Sequence, residues 1–132
     1  MKYLLDTNAC VTFLRDRDSQ TGRKLMSVRY ADVVLCAVVK AELYYGVQRS
    51  SFPARNLVQL NDFFANFGSL PFDDQAAEIY GRLRAELARA GTPIGPNDLM
   101  IAAITLAHDL TLVTHNVDEF GRVAGLRFED WE

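Results

Sequence analysis

The chain has 132 residues, of which 49% are hydrophobic and 23% are charged, and this predicts one domain spanning residues 1–132 with a core of ordinary size. Its formal net charge of −3 excludes a passive nucleic-acid coat protein, which would be basic. No apolar run approaches the ~20 residues of a membrane span, and no secretory signal is visible. We therefore expect a cytoplasmic protein whose two cysteines are reduced and buried.

The first half of the chain alternates short apolar runs with longer helical periods. Four consecutive apolar residues at 33–36 are typical of a strand that is buried on both faces. The predicted elements are a strand at 2–5, a helix at 8–15, a helix through residues 25–28, a strand at 33–36 and a helix at 38–48.

Proline and glycine mark the boundaries in the second half. Pro53 can begin a helix, and this helix carries the broad apolar stripe Leu57, Leu60, Phe63, Phe64 and Phe67. A connection at 68–72, with room for a short strand, leads to a long helix that Asp73 opens and Gly91 stops. The remaining predicted elements are a helix from Asp98 to about His108, a strand at 111–114, a helical turn at 118–120 and an edge strand at 126–128.

Strands separated by helices predict an α/β fold with a mostly parallel central sheet flanked by helices. In such sheets, ligands bind outside the carboxyl ends of the strands. Asp6 ends the first strand, Thr114 ends a later one, and Asp98 lies in the first turn of its helix. Glu42 lies early in the helix after the second strand, so all four positions can converge on one edge.

Three acids, Asp6, Glu42 and Asp98, stand among apolar residues rather than on polar faces. If they lie within ~5 Å of one another, each ionised pair repels by ~3 kcal/mol at an effective dielectric constant of ~20. Three such pairs cost on the order of 10 kcal/mol, which is comparable to the stability of a whole domain. The cluster must therefore hold a proton, a basic side chain or a metal ion, and an all-oxygen set suits Mg²⁺ or Mn²⁺.

Each acid also has a purely structural interpretation. Asp6 can cap the helix that follows it, Asp98 can favour the N-terminal dipole of its own helix, and Glu42 can pair with an arginine. Taken singly, each of these interpretations is as good as a catalytic one, whereas three such acids at one predicted edge favour a shared site.

Four motifs follow one another along the chain: LDTN at 5–8, ELYYG at 42–46, PNDLMIAA at 96–103 and LVTHNVDEF at 112–120. In this order they resemble the motifs of PIN domains, and the whole chain is similar to the VapC toxins of type II toxin–antitoxin modules. The similarity extends to an RAELA stretch at 84–88 and to the C-terminal GLRFEDW at 125–131.

The resemblance implies a PIN-like fold and a Mg²⁺-dependent endoribonuclease, with Mn²⁺ able to substitute, that cleaves structured RNA such as tRNA. Initiator tRNA is the substrate that the resemblance favours. Asp6, Glu42 and Asp98 are then the catalytic residues and the metal ligands. The family often has a further acid where this chain has Asn116, and whether Asn116 or Asp118 completes the site stays open.

Thr7, Asn8 and Thr114 resemble residues that position ligands or substrate, although capping of helices and turns explains them equally well. The resemblance also implies a homodimer and a VapB-like antitoxin whose C-terminal tail covers the site and places an arginine among the acids. The apolar stripe could offer that tail a groove, with plain core packing as the alternative.

The densest basic segment is Arg15, Arg17, Arg23 and Lys24, which could guide RNA to the site or form a solvated helix face. Two other functions compete with the toxin. One is a PIN-fold module that binds RNA or protein with weak or no catalysis, and the other is a DNA flap-type nuclease, which the short chain disfavours.

Overall fold

Five short strands and seven α-helices alternate along the chain in the computed structural model, which describes residues 1–132. The first half contains β1 (Tyr3–Leu5), α1 (Thr7–Arg15), α2 (Gln20–Ser27), a 3-10 turn (Tyr30–Asp32), β2 (Val33–Cys36), α3 (Ala37–Gln48) and α4 (Pro53–Phe64). The second half contains β3 (Gly68–Leu70), α5 (Asp74–Arg89), α6 (Pro96–Ala107), β4 (Thr111–Val113), α7 (Val117–Phe120) and β5 (Arg127–Glu129).

The strands form one sheet in the order β3-β2-β1-β4-β5, and every neighbouring pair is parallel. The predicted α/β class is confirmed, and the sheet is parallel throughout rather than mostly so. β1 lies at its centre, with Leu4 opposite Val34 on one side and Leu112 on the other. All residues of β1 and β2 are buried, as expected for strands covered by helices on both faces.

Local chemistry sets where several helices begin. The carboxylates of Asp6 and Asp73 and the hydroxyl of Ser19 each accept a hydrogen bond from a backbone N–H in the first turn of the helix that follows. Pro53 and Pro96 occupy first-turn positions, where the missing N–H costs no hydrogen bond.

The core sits on both sides of β1, β2 and β4. On the α4 side, Phe63 packs against Phe13 at 5.5 Å and Phe67 at 5.2 Å between ring centroids. The predicted apolar stripe is thus largely core, since only Leu57 among its five members is not fully buried. At the C-terminus, Trp131 packs edge-on against Tyr3 at 5.1 Å and fixes the last residues beside β1.

Both cysteines of the chain lie in the interior. Cys10 and Cys36 are free and buried, as expected. None of the helices combines the length and apolar character needed to cross a lipid bilayer.

Candidate active site

Asp6 lies where β1 turns directly into α1, at the carboxyl edge of the sheet. Its side chain is only 5% exposed, and it accepts a hydrogen bond of 2.8 Å from the backbone N–H of Ala9. Burial raises the pKa of the Asp6 carboxyl, the Thr114 hydroxyl and the Ala9 N–H oppose this rise by hydrogen bonding, and the charge of Glu42 adds to it. Asp6 is therefore both a helix cap and a member of the acid cluster.

Glu42 reaches the same edge from α3. The hydroxyl of Thr7, the first residue of α1, donates a hydrogen bond of 2.6 Å to Glu42 Oε1. This contact joins α1 to α3 across 35 residues of sequence and fixes one carboxylate oxygen of Glu42. Thr7 thus holds a neighbouring acid in place, and its role as a positioning residue stays a prediction.

Asp98 completes the cluster from the first turn of α6. Its pKa is raised to about 7, first by burial, then by a hydrogen bond and charge from Glu119, and then by the charges of Glu42 and Asp6. The pKa of the half-buried Glu119 is lowered, chiefly by the same hydrogen bond with Asp98. A proton held between the two carboxyls therefore favours Asp98 over Glu119.

Asn116 lies between β4 and α7 and orients this pair. Its Nδ2 donates a hydrogen bond of 2.8 Å to Glu119 Oε2, and its backbone N–H donates one of 2.9 Å to Thr114 Oγ1. The Thr114 hydroxyl also contacts Asp6. The loop after β4 thus connects Asp6 to Glu119 through Thr114 and Asn116.

No basic side chain forms an ion pair with any of these acids. Lys40, the basic residue nearest to Glu42 in sequence, instead places its Nζ 4.8 Å from the ring centroid of Phe64. Arg122 acts on Glu119 at longer range only, because its guanidinium donates to the carbonyl of Pro93 at 3.0 Å. The negative charge of the cluster is therefore uncompensated by the chain itself.

This arrangement fits a hard divalent cation. The donor atoms are carboxylate, hydroxyl and amide oxygens, the types that Mg²⁺ and Mn²⁺ prefer. The nearby thiols do not compete, since burial raises the pKa of Cys10 and Cys36 and keeps both protonated. The group of three potential ligands whose atoms all lie within 4.8 Å of one another is His115, Asp130 and Glu132, so Asp6, Glu42 and Asp98 would hold an ion that keeps part of its water shell. Glu119 is hydrogen-bonded to Asp98 and could add a further carboxylate oxygen.

A second charged group lies beside the cluster at the C-terminus. His115 Nδ1 is 3.0 Å from Asp130 Oδ2 and 3.2 Å from Glu132 Oε2, and the imidazole is largely exposed. These two carboxylates raise the pKa of His115, with a smaller contribution from Asp6. The contacts tie the last residues of the chain to the loop that carries Thr114 and Asn116.

The structure separates the remaining candidates. Asp118 is exposed and makes no hydrogen bond or ion pair, so it does not join the acids, and its role in the site stays a prediction. Asn8 is also exposed, without a side-chain hydrogen bond. Glu119, which is not among the residues predicted for the site, takes the place beside Asp98. The signal was present, because the Asn116 to Glu119 spacing is that of a helix cap paired with an acid in the first turn.

The comparisons with known proteins cover nearly the whole chain and agree on one family. The family model for the PIN domain matches residues 3–126. The tRNA(fMet)-specific endonuclease VapC of Salmonella typhimurium is 38% identical over 131 residues, covering 99% of this chain and 98% of that protein. Two solved structures superpose closely on this chain. DNA-bound VapBC from Salmonella typhimurium has a TM-score of 0.94 and 38% identity, and the match covers 100% of this chain and 99% of that one. VapBC2 from Rickettsia felis, bound to a promoter DNA fragment, has a TM-score of 0.93 and 34% identity, and the match covers both chains in full.

Proposed function

Because this chain belongs to the PIN-domain family, and within it to the VapC ribonuclease toxins, we propose that it is a Mg²⁺-dependent endoribonuclease that cleaves structured RNA, with initiator tRNA as its substrate. Mn²⁺ is proposed to substitute for Mg²⁺. The observation that carries this proposal is the convergence of Asp6, Glu42 and Asp98 at one sheet edge without a compensating basic group.

Hydrogen bonds within the chain orient the carboxylates at the sheet edge where a phosphodiester would bind. Thr7 fixes Glu42, the Ala9 N–H and Thr114 fix Asp6, and Asn116 fixes Glu119 against Asp98. When bound, Mg²⁺ supplies a water of lowered pKa and stabilises the negative charge that develops on the scissile phosphate. The proton shared by Asp98 and Glu119 must leave before both carboxylates can act as anionic ligands.

The assignment of the three acids as ligands and catalytic residues is part of this proposal. Its support is positional, because each acid arrives from a different element and none has another ionic partner. The Ala9 N–H donates to Asp6 Oδ1, and the Thr114 hydroxyl also contacts this carboxylate. Because each carboxylate oxygen has more than one lone pair, these hydrogen bonds are compatible with ligation of an ion.

The substrate is tested most directly in cells. We expect 5′ ends of cellular RNA, mapped after induction of the wild-type chain, to show a new end within initiator tRNA that is absent after induction of Asp6→Asn. Asparagine keeps the capping ability of aspartate, so this variant removes the charge and leaves the start of α1 intact. New ends in other RNAs only would refute the choice of initiator tRNA, and identical ends in both strains would refute the catalytic role of Asp6.

We also propose a cognate VapB-like antitoxin, a homodimeric toxin and action in the cytoplasm. The support is that the closely superposing structures from Salmonella typhimurium and Rickettsia felis are VapBC complexes. An antitoxin arginine placed among the acids would provide the positive charge that the cluster lacks. Growth arrest on expression should be relieved by co-expression of the antitoxin. If expression is harmless while the purified protein cuts RNA, the toxin role is wrong and the nuclease assignment stands.

A further inference from the structure

A deep cleft of about 1220 Å³ opens directly from the acid cluster. Thr7 and Glu42 line its end at the active site, and its walls are formed by α1, α3 and α4. The volume exceeds the roughly 300–1,000 Å³ of a typical small-ligand pocket. The cleft therefore has room for a stretch of polymer that continues away from the reacting phosphate.

The charge of the cleft is opposite to that of the active site. Arg15, Arg17 and Arg49 line it, and none of the three forms an ion pair with a carboxylate. Three of the other eight arginines are ion-paired, namely Arg29 with Asp32, Arg82 with Glu86 and Arg127 with Asp109. Apart from Glu42, the cleft has a single acid, Asp62. Three free guanidinium groups beside an acidic edge are what a polyanion needs to approach that edge.

Aromatic surface accompanies these charges. The Arg49 guanidinium lies 4.7 Å from the ring centroid of Tyr45, one helical turn earlier on α3, and Tyr45 is 64% exposed. A similar pair, Arg55 over the exposed Phe52 at 4.5 Å, lies at the connection from α3 to α4. Exposed aromatic rings next to guanidinium groups form the stacking surfaces on which unpaired bases bind, since every base has a π-face.

We propose that this cleft binds the unpaired stretch of RNA next to the scissile phosphate. In this arrangement Arg15, Arg17 and Arg49 contact backbone phosphates, and a base stacks on Tyr45. The inference rests on the proposed ribonuclease function and adds the path of the substrate, as well as a preference for RNA loops over continuous duplex. Tyr45 and Arg49 are positioning residues, because they lie along the cleft rather than among the acids.

The test measures binding of a labelled RNA hairpin with an unpaired loop, in Mg²⁺, to the Asp6→Asn protein so that cleavage does not interfere. Arg49→Gln should weaken binding several-fold and reduce the slope of log affinity against log salt by about 0.7, the loss of one single-strand phosphate contact. Tyr45→Ala should weaken it by about 5- to 160-fold, the range expected for one lost base stack, whereas Tyr45→Phe should keep near-normal affinity.

The chain provides a matched control on another helix. Arg84 and Tyr80 on α5 have the same four-residue spacing, with the guanidinium 5.9 Å from the ring centroid, and they line a separate hollow of about 220 Å³. Arg84→Gln and Tyr80→Ala should leave hairpin affinity and salt slope unchanged. A continuous duplex of the same length should bind more weakly than the hairpin and should be insensitive to Tyr45→Ala.

Three results would overturn the inference: normal hairpin affinity of both Arg49→Gln and Tyr45→Ala, equal losses in the α5 controls, or equal sensitivity of duplex and hairpin to Tyr45→Ala. Loss of antitoxin relief by Arg49→Gln with unchanged RNA affinity would make the cleft a protein-binding surface and would also refute the inference. Failure of the nuclease proposal is separate, because it appears as an absence of cleavage by the wild-type protein.

Discussion

At the residue scale, the electrostatic cost of bringing the acids together appears mainly as a raised pKa of Asp98. Its pKa of about 7 reflects burial first and the neighbouring carboxylates second. Asp6 is more fully buried, but two hydrogen bonds that stabilise its charged form offset part of the cost. Asp98 has no such donor, so among these acids it is the one that most readily holds a proton.

Asp98→Asn should stabilise the metal-free protein, and the gain should grow with pH. The folded-state pKa lies above the unfolded value of 3.8, so the contribution of Asp98 is intact below about pH 4 and is lost as pH rises to and through about 7. Allowing for its partial exposure, the wild type should lose about 1–2 kcal/mol of unfolding free energy relative to Asp98→Asn between pH 4 and 7.5.

Denaturant unfolding of both proteins in chelator at several pH values measures this difference. Asp74→Asn is a suitable control, since Asp74 lies in the first turn of α5 and is exposed. Parallel pH profiles of wild type and Asp98→Asn would show that Asp98 ionises normally and that the acids do not interact.

Thr7→Val should slow cleavage by about 10-fold, because Glu42 loses a charge-assisted hydrogen bond and with it a fixed orientation. Thr7→Ser retains the hydroxyl and should keep most of the activity. Single-turnover cleavage rates of the three proteins decide the point, with thermal melts to show that folding is unaffected. A Val variant as fast as the wild type would show that the Thr7 hydroxyl has no part in cleavage.

At the element scale, the positions of the principal acids follow from strand-to-helix junctions that the sequence makes visible. Asp6 ends an apolar run and begins a helix, and Asp98 follows a proline-rich loop, so both could be placed at the sheet edge from sequence. Glu119 could not be distinguished from Asp118, because α7 has only four residues and its orientation depends on packing of Phe120 in the core.

Gly22 tests how tightly α1 and α2 are joined. A Cβ at this position would lie 2.2 Å from the carbonyl oxygen of Arg17, a backbone atom that cannot move aside alone. Gly22→Ala should therefore destabilise the protein by about 1–3 kcal/mol. Gly81→Ala, in α5 with nothing within 4 Å of the added methyl, should stabilise it by about 0.5–1 kcal/mol.

Chemical denaturation of the two alanine variants measures both the expected loss and the expected gain in unfolding free energy. Equal stabilities of Gly22→Ala and the wild type would show that the turn between α1 and α2 adapts freely. That turn begins directly after Arg15 and contains Arg17, so its rigidity also bears on the cleft.

At the scale of the whole molecule, the α/β class and the parallel sheet could be predicted because strands and helices alternate. The strand order could not, since three-residue strands such as β3, β4 and β5 hold too little pattern to specify their neighbours. The cleft was also missed in part. Leu60, Phe63 and Phe67 are core residues that at the same time line its wall, and sequence periodicity cannot separate these roles.

The whole molecule is a fold that gathers negative charge at one edge and leaves free arginines in the cleft beside it. The net charge of −3 does not reveal this division, because it sums the acids at the sheet edge and the arginines of the cleft. An ion at the acids and RNA in the cleft would together neutralise both regions. The ion is the more fundamental of the two, since the proposed reaction requires it.

Cleavage of initiator tRNA by the purified protein, in Mg²⁺ and in chelator, tests the central claim most directly. The wild type should cut in Mg²⁺, stop in chelator and recover with Mn²⁺, whereas Asp98→Asn should be slower by about 100-fold or more although it is folded. Full activity of the wild type in chelator, or undiminished cleavage by Asp98→Asn, would contradict the assignment of these carboxylates as the metal site of a ribonuclease.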